Sequence, residues 1–166
     1  MPNRRLFNDR LGQAVKRAQR TSSSLALMFV DLDKFKPIND TYGHAAGDFM
    51  LQTVAKRLSG CPRASDTAAR VGGDEFLGLL PDIPSGADAL AVAEKIRSAL
   101  AEPCLSPEEI ELCISASVGI AIYPEHARSE HELLRLGDRA MYEAKSAGGN
   151  RVKLINPEDG AGHSAA

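Results

Sequence analysis

Apolar residues recur along this chain with two different periods, and each period predicts one kind of secondary structure. Over residues 3–20 they fall on one helical face and most arginines and lysines fall elsewhere, which predicts an amphipathic surface helix. Every residue from Leu25 to Val30 is apolar, a run typical of a buried strand. The same reasoning predicts helices over 39–58, 85–101 and 130–146, and strands over 66–71, 75–80, 110–123 and 151–155.

Two of these strands are close enough in sequence to predict how they pair. Only Gly72-Gly73-Asp74 separates 66–71 from 75–80, and so short a glycine-containing connection predicts a β-hairpin. An antiparallel hairpin argues against a purely parallel, doubly wound sheet. We therefore predict an α+β fold with a central, mainly antiparallel sheet flanked by helices. Residues 1–156 are expected to form a single domain, and 157–166 a disordered tail.

Composition and charge narrow the classes of function. The chain has 20 Lys and Arg against 22 Asp and Glu, a net charge of −2, which argues against a nucleic-acid-binding protein. Its three cysteines form no C-x-x-C or Cys/His cluster, so neither a disulfide framework nor a zinc site is indicated. No apolar stretch approaches ~18 residues, and the start lacks a signal-peptide core. We expect a cytoplasmic domain with no membrane segment of its own. The parent protein could still be tethered to a membrane by another segment.

Acidic residues stand at two places where a ligand could reach them. Asp31 and Asp33 follow the apolar run at once, and carboxylates held at the end of a rigid strand suit Mg²⁺. Asp74 and Glu75 follow two glycines, which allow positive φ and leave room beside the backbone. Each pair alone could be an exposed surface turn. Together they indicate a Mg²⁺–phosphate site, with candidate phosphate-neutralising cations at Lys36, Lys145 and Arg151.

Several longer motifs, in one order along the chain, resemble a known family. They are PNRR over 2–5, FVDLDKFKPINDTYGHAAGD over 29–48, GGDEF over 72–76, SVGIA over 117–121 and AMYEAK over 140–145. In these motifs the chain closely resembles the GGDEF-domain family of diguanylate cyclases over nearly its whole length. The resemblance implies the palm-like α+β core that nucleotidyl cyclases share with some polymerases.

The resemblance also implies an activity and a set of site residues. The activity is the condensation of two GTP molecules into cyclic di-GMP and two pyrophosphates, across a homodimer in which each subunit holds one GTP. Two Mg²⁺ ions per active site, which Mn²⁺ could replace, would be held by the side chains of Asp31 and Asp74 and the carbonyl of Leu32. Asp74 would also activate the 3′-hydroxyl. The other implied residues are Lys36 (catalytic, on the phosphates), Lys145 (phosphates), Asn39 and Asp48 (guanine), and His44 and Glu75 (near the substrate).

The spacing of the two guanine-binding candidates makes a prediction of its own. Asn39 and Asp48 are nine positions apart, which places them on opposite faces of a continuous helix. Both can contact one base only if the chain bends, and we predict the bend at Gly43-His44, with Gly47 beyond it. Local sequence leaves a second interpretation open, with Asn39 as a helix N-cap and His44 as a turn histidine.

The chain has a motif that matches a regulatory site of the family, and it differs from the family's usual sequence at two places. Arg63 and Asp66 match the R-x-x-D that the resemblance assigns to an inhibitory product site, with Lys95 as an accompanying cation. Gly149 stands where a basic residue is usual, and the residues that usually precede Pro2 are missing, so we expect a domain clipped from a longer protein. Two alternatives stay open: a catalytically weak module that binds GTP or cyclic di-GMP as a signalling receptor, and a Mg²⁺-dependent phosphohydrolase with Asp31 as its nucleophile.

Overall fold

A five-stranded sheet with helices on both faces makes up the described part of this computed structural model, residues 2–61 and 68–156. The elements in chain order are α1 (Arg4–Thr21), β1 (Leu25–Asp33), α2 (Phe35–Tyr42), α3 (His44–Gly60), β2 (Ala68–Gly72), β3 (Glu75–Pro81), α4 (Gly86–Leu100), β4 (Cys104–Leu105), β5 (Glu111–Leu112), β6 (Ser115–Tyr123), α5 (Glu130–Ser146) and β7 (Arg151–Leu154).

The strand order of the sheet is β2-β3-β1-β6-β7, with β1 at the centre. β1 runs antiparallel to β3 on one side and to β6 on the other, and only β6 and β7 are parallel. The hairpin predicted around the two glycines is present as β2 and β3. The α+β class and the mainly antiparallel sheet are therefore confirmed.

Helices cover both faces of β1, which explains why its apolar run does not alternate with polar residues. Met28 and Val30 belong to one core cluster, together with residues of α2, α3 and α4. Leu27 and Phe29 belong to the second cluster, with residues of α1 and α5. Because side chains alternate along a strand, Asp31 and Asp33 continue the second set and face α5.

The amphipathic helix predicted at the start of the chain is α1. The Asn3 side chain caps it by accepting from the Leu6 N–H at 3.0 Å, and the buried stripe is Phe7, Leu11 and Ala18. Leu6 itself is 41% exposed and does not join the core. Among the described residues, no helix combines the length and the apolar character needed to cross a lipid bilayer.

The strand predicted over 110–123 is divided in two. Its first part, β5, pairs with β4 in a separate two-stranded ladder, and β6 begins only at Ser115. Neither half of this small hairpin is longer than two residues, and Leu105 in it is 61% exposed, so no alternating pattern marked β4 in the sequence. β1, in contrast, continues past its apolar run, and Asp31 and Asp33 lie within the strand.

Helix α5 lies directly on the backbone of β6. A Cβ atom added at Gly119 would overlap the backbone of Met141 and Gly137, and one added at Gly137 would lie 3.0 Å from the ring of Phe29. Both glycines therefore allow a close approach between helix and sheet. This contact fixes how deeply α5 sits, and α5 carries Lys145 in its last turn.

Candidate active site

The two acidic pairs of the sequence meet because β1 and β3 are neighbouring strands. Asp31 lies opposite Glu75 in the ladder, and the Leu32 N–H donates to the carbonyl of Asp74 at 3.1 Å. On the same face, the Lys145 ammonium lies 3.5 Å from Oδ2 of Asp31. We call the set formed here the carboxylate cluster: Asp31, Asp33, Asp74, Glu75 and Lys145.

The Lys145 ammonium lies among three oxygen acceptors. Its Nζ is 3.2 Å from the Leu32 carbonyl, 3.4 Å from Oδ1 of Asp33 and 3.5 Å from Oδ2 of Asp31. An ammonium has three N–H donors, so these acceptors match its capacity. The side chain is 31% exposed, which leaves the ammonium within reach of a ligand.

Asp31 carries a charge that the protein only partly compensates. Its Oδ1 is buried and has no hydrogen-bond partner among the residues that the structure describes. Burial raises the pKa of Asp31 to about 6; Lys145 opposes this rise, and the charges of Asp74 and Glu75 add to it. A cation bound at Asp31 would offset the cost of burying its negative charge and would reduce the repulsion from Asp74 and Glu75.

Asp33, two residues further along the same strand, is fully compensated. It accepts hydrogen bonds from Ser115 Oγ at 2.7 Å, Ser117 Oγ at 2.6 Å and the Asn150 N–H at 2.9 Å. Burial works to raise its pKa, but the bonds from Ser117, Ser115 and Asn150, with the charge of Lys145, outweigh it and hold the pKa of Asp33 below its usual value. The two carboxylates of the D-x-D motif thus differ in kind.

The oxygen ligands implied for Mg²⁺ fit this arrangement. No group of three His, Cys, Asp or Glu side chains suited to a metal occurs in 2–61 or 68–156. The implied set needs only two carboxylates, Asp31 and Asp74, and the carbonyl of Leu32. Asp31 offers a buried oxygen without a partner, and the Leu32 carbonyl already faces a cation, Lys145. Mg²⁺ commonly takes one or two carboxylates and completes its shell with water and phosphate oxygens.

The turn between β2 and β3 is held by an arginine that we did not predict. Arg70 donates to the Gly73 carbonyl through Nε at 3.0 Å and Nη2 at 2.8 Å. Nothing lies within 4 Å of a Cβ built on Gly73, so the expected room beside the backbone is present. Neither Gly72 nor Gly73 has a positive φ, so this turn does not use the left-handed backbone that glycine allows.

The chain bends where the spacing of Asn39 and Asp48 required it. α2 ends at Tyr42 and α3 begins at His44, and Gly43 between them has φ +92°. The Asn39 side chain lies across Gly47, since a Cβ added there would overlap its Oδ1. The bend therefore brings Asn39 beside the residue that precedes Asp48.

We call residues 39–48 the helix bend. The N-cap interpretation of Asn39 is wrong, because Asn39 lies inside α2 and the N-cap of that helix is Lys34. Asp48 and His44 are both exposed. Asp48 and His44 thus face solvent, where a base could meet them, whereas Asn39 is half-buried.

Other candidate residues lie apart from these two groups. Lys36 is exposed on the first turn of α2, and among the described residues no hydrogen bond or ion pair joins it to the carboxylate cluster. Lys95 is exposed on α4. Arg151 donates to the Gly149 carbonyl at 3.1 Å. Arg63 and Asp66 lie outside the described residues.

The turn after α5 is seated on the Asp33 carboxylate. Gly149 has φ +72°, and a Cβ built there would lie 3.0 Å from each of three atoms of that carboxylate. The glycine that departs from the family pattern is therefore a residue whose conformation and surroundings disfavour a side chain.

Sequence reasoning missed the serines that bond to Asp33. In the β1–β6 ladder Asp31 lies opposite Ser117, and Asp33 opposite Ser115. The signal was a D-x-D and an S-x-S, each spaced to put both side chains on one face of its strand. These two motifs could be paired only once the register of β1 against β6 was known.

Comparison with known proteins assigns the chain to a family. The family model described as diguanylate cyclase, GGDEF domain, matches residues 1–151. The chain belongs to this family, as its motifs predicted.

Relatives and solved structures agree with that assignment. The chain is 47% identical over 151 residues to the bifunctional diguanylate cyclase/cyclic di-GMP phosphodiesterase MucR of Pseudomonas aeruginosa, covering 90% of this chain and 22% of MucR. It is 44% identical to the diguanylate cyclase TpbB of the same species, covering 94% of this chain and 36% of TpbB. The chain thus spans about a fifth to a third of these relatives.

Two solved structures share the fold at high similarity. The crystal structure of the GGDEF domain of TpbB (also YfiN) from P. aeruginosa has a TM-score of 0.90 at 43% identity, with 94% of this chain and 97% of that chain covered. The GGDEF domain of DgcB from Caulobacter crescentus, in complex with c-di-GMP, has a TM-score of 0.86 at 31% identity, with 94% and 89% covered. The GGDEF fold is therefore confirmed.

Proposed function

We propose that this chain is the catalytic domain of a diguanylate cyclase, which condenses two GTP molecules into cyclic di-GMP and releases two pyrophosphates. The observation that carries the proposal is the buried, unpartnered oxygen of Asp31 beside Asp74 and Glu75, with Lys145 on the same face. Such a site suits a divalent cation and a polyphosphate. The relatives named as diguanylate cyclases support the same reaction.

The reaction is a phosphoryl transfer made twice. A 3′-hydroxyl oxygen of one GTP forms a bond to the α-phosphorus of the other. The bond from that phosphorus to the oxygen that bridges to the β-phosphate breaks, pyrophosphate leaves, and the hydroxyl proton passes to Asp74 or to water. Asp31, Asp74 and the Leu32 carbonyl are proposed to hold Mg²⁺, which when bound neutralises charge on the triphosphate. Lys145 adds a positive charge that can bind the phosphates. Asp74, at the turn, is proposed to orient the 3′-hydroxyl or to accept its proton.

The helix bend is proposed to select guanine. Guanine presents an N1–H and an amino group, both donors, on one edge. The Asp48 carboxylate accepts from such a pair and the Asn39 amide both donates and accepts, whereas adenine would leave Asp48 unsatisfied. His44 is exposed at the start of α3 and is proposed to lie near the bound substrate.

The first turn of α2 is proposed to bind phosphate. Its N-cap is Lys34, whose ammonium has no acceptor for the backbone N–H groups, and within the described residues this side chain makes no capping bond. The N–H groups of a first helical turn favour an anion. Lys36 lies in the same turn and is proposed to contact the phosphates during catalysis.

Catalysis is proposed to need a homodimer, because each subunit supplies one GTP and half of the reacting site. Cyclic di-GMP is proposed to inhibit by binding Arg63 and Asp66, with Lys95. We further propose that residues 1–156 act as one domain in the cytoplasm.

The test is to incubate the protein with GTP and Mg²⁺ and to separate the products by chromatography. Cyclic di-GMP supports the proposal, unchanged GTP with retained binding supports the receptor alternative, and GDP with phosphate supports a phosphohydrolase. The rate per subunit should rise with protein concentration in the dilute range, and a flat rate from a confirmed monomer would contradict the shared site.

Inhibition is tested separately, by titrating cyclic di-GMP into the protein in a calorimeter and into the assay. Arg63→Ala should abolish inhibition and leave the initial rate near that of the unaltered protein. Absence of product binding to the unaltered protein would leave the R-x-x-D as an ordinary surface pair.

A further inference from the structure

Asp33 accepts more hydrogen bonds than any other carboxylate of the cluster, although the proposed reaction assigns it no part. Its Oδ1 is 2.6 Å from Ser117 Oγ and 3.4 Å from Lys145 Nζ. Its Oδ2 is 2.7 Å from Ser115 Oγ and 2.9 Å from the Asn150 nitrogen. A carboxylate has about four lone-pair sites, so these four donors use its accepting capacity.

Asp31 is the opposite case on the same strand. It has one buried oxygen without a partner and one oxygen 3.5 Å from Lys145. Of these two carboxylates, Asp31 is therefore the one that can accept a cation without breaking hydrogen bonds that the described residues already make. Coordination by Asp33 would require a serine or the Asn150 N–H to give up its hydrogen bond to this carboxylate.

Asp33 also joins four parts of the chain that are distant in sequence. Its own strand is β1, Ser115 and Ser117 lie on β6, Lys145 lies in the last turn of α5, and Asn150 precedes β7. Asn150 is held from its other side as well, because Arg97 Nη1 donates to its Oδ1 at 2.5 Å. The end of α5 is thus fixed between the carboxylate and α4.

We propose that Asp33 is a positioning residue that holds Lys145 for the phosphates, and is not a metal ligand. This inference rests on the proposed function, because it gives Lys145 a phosphate to contact. Of the three acceptors around Lys145, two, Asp31 and the Leu32 carbonyl, are the proposed metal ligands. When those oxygens serve a metal, Asp33 remains the protein partner of the ammonium, and its other N–H groups can turn to the ligand.

The experiment uses Asp33→Asn with Asp9→Asn as its matched control, since Asp9 is exposed on α1. Binding of a GTP analogue with a methylene group between the α- and β-phosphates, which cannot be turned over, is followed by calorimetry. We expect Asp33→Asn to weaken analogue binding about ten-fold while the half-saturating Mg²⁺ concentration stays within about two-fold. A rise of about ten-fold or more in that concentration would make Asp33 a metal ligand and overturn the proposal.

A double-mutant cycle tests whether Asp33 acts through Lys145. If it does, Asp33→Asn in a Lys145→Met background should change analogue affinity by less than about two-fold. Fully additive losses would overturn the proposal. If Asp33→Asn fails to fold, the same double-mutant cycle is made with Ser117→Ala, which removes one hydrogen bond to Asp33 and leaves its charge. Ser98→Ala, at an exposed position, is the control.

One measurement needs no nucleotide. In the ligand-free protein, the ammonium of Lys145 should give a protected side-chain NMR signal that Ser117→Ala weakens and Asp33→Asn removes. A signal unchanged in both variants would overturn the positioning role. A protein that behaves as expected here and in the binding cycle but forms no cyclic di-GMP would refute the proposed function and leave the role of Asp33 intact.

Discussion

The carboxylate cluster and the helix bend are built in different ways, although both are proposed to bind the same nucleotide. In the carboxylate cluster, Lys145 lies within 3.5 Å of three oxygens and Asp33 accepts from both serines of β6. In the helix bend, Asp48 and His44 are exposed, and the main internal contact is that of Asn39 with Gly47. One region is held in place by the protein, and the other presents side chains to solvent.

This difference follows from what each region must bind. Phosphates and a metal carry concentrated charge, and groups fixed before binding need no reorganisation when that charge arrives. A base is flat and largely neutral, and a pair of exposed polar groups suffices to recognise its edge. Substitutions of the proposed metal ligands should therefore affect the chemical step, and substitutions in the helix bend should affect ground-state binding.

Asp31→Asn is expected to have the largest effect. It should disable the carboxylate cluster and leave the helix bend intact. Loss of the charge that faces the metal should reduce turnover by about 10³-fold. Because the Asp31 charge is buried without full compensation, the same variant should raise the Tm of the metal-free protein at pH 7.5, by about 2–4 °C if the gain is near 1 kcal/mol. Turnover is measured by chromatography and Tm by calorimetry, with Asp9→Asn as the control. Turnover near that of the unaltered protein would remove Asp31 from the site.

Gly47→Ala tests the helix bend without touching a charged group. The new Cβ would displace the Asn39 side chain, so the KM for GTP should rise about ten-fold while kcat changes little. Gly60→Ala is the matched control, since Gly60 lies in the same helix and none of the described residues stands within 4 Å of its added Cβ. An equal fall in kcat in Gly47→Ala would mean that the two regions are not separable.

The pH dependence of metal binding should separate the two regions again. Burial, with the nearby charges of Asp74 and Glu75, raises the pKa of Asp31 to about 6, so protons compete with the cation below that pH. The half-saturating Mg²⁺ concentration should fall about ten-fold between pH 5 and pH 7, mostly below pH 6, and level off above pH 7. Calorimetric titration of Mg²⁺ across pH 5–8 checks this, and Asp31→Asn should lack the inflection. A flat profile in the unaltered protein would contradict the assignment.

The stability of the metal-free protein depends on pH in the opposite direction to Mg²⁺ binding. The folded state holds the Asp31 proton more tightly than the unfolded chain, whose pKa is near 3.8, so this group's contribution to stability falls as pH rises from about 4 to about 6. Urea unfolding of the metal-free protein at several pH values, compared with Asp31→Asn, isolates this contribution. The variant should lack this part of the pH dependence, and equal profiles would contradict the assignment.

Gly149→Arg should have the smallest effect and acts at the edge of the carboxylate cluster. Position 149 has φ +72° and lies against the Asp33 carboxylate, so a side chain is strained there. A cost of about 1 kcal/mol would lower Tm by about 2–4 °C. The control is Gly60→Arg, at a position with open space. A variant that melts with the unaltered protein would show that the turn tolerates a side chain.

The sequence predicted those features that depend on neighbouring residues. The apolar run of β1, the glycine hairpin and the bend at Gly43 each follow from local pattern or from helical geometry. The bonds of Asp33 to Ser115 and Ser117 could not be predicted, because they join residues 82 and 84 positions apart. They depend on the register of β1 against β6, and a strand that is apolar on both faces gives no alternation from which to read that register. Hence a D-x-D that looked uniform contains two different carboxylates.

The contact of Gly119 with α5 has a consequence for how mutations in this protein should be interpreted. The helix rests on the strand with no side chain between them at this point, so any residue larger than glycine must lift the helix from the sheet. Lys145 would move with it, although Gly119 contacts neither phosphate nor metal in the proposed site. A screen for inactive variants should therefore recover substitutions at Gly119, and they would mimic active-site lesions while their primary defect is one of packing.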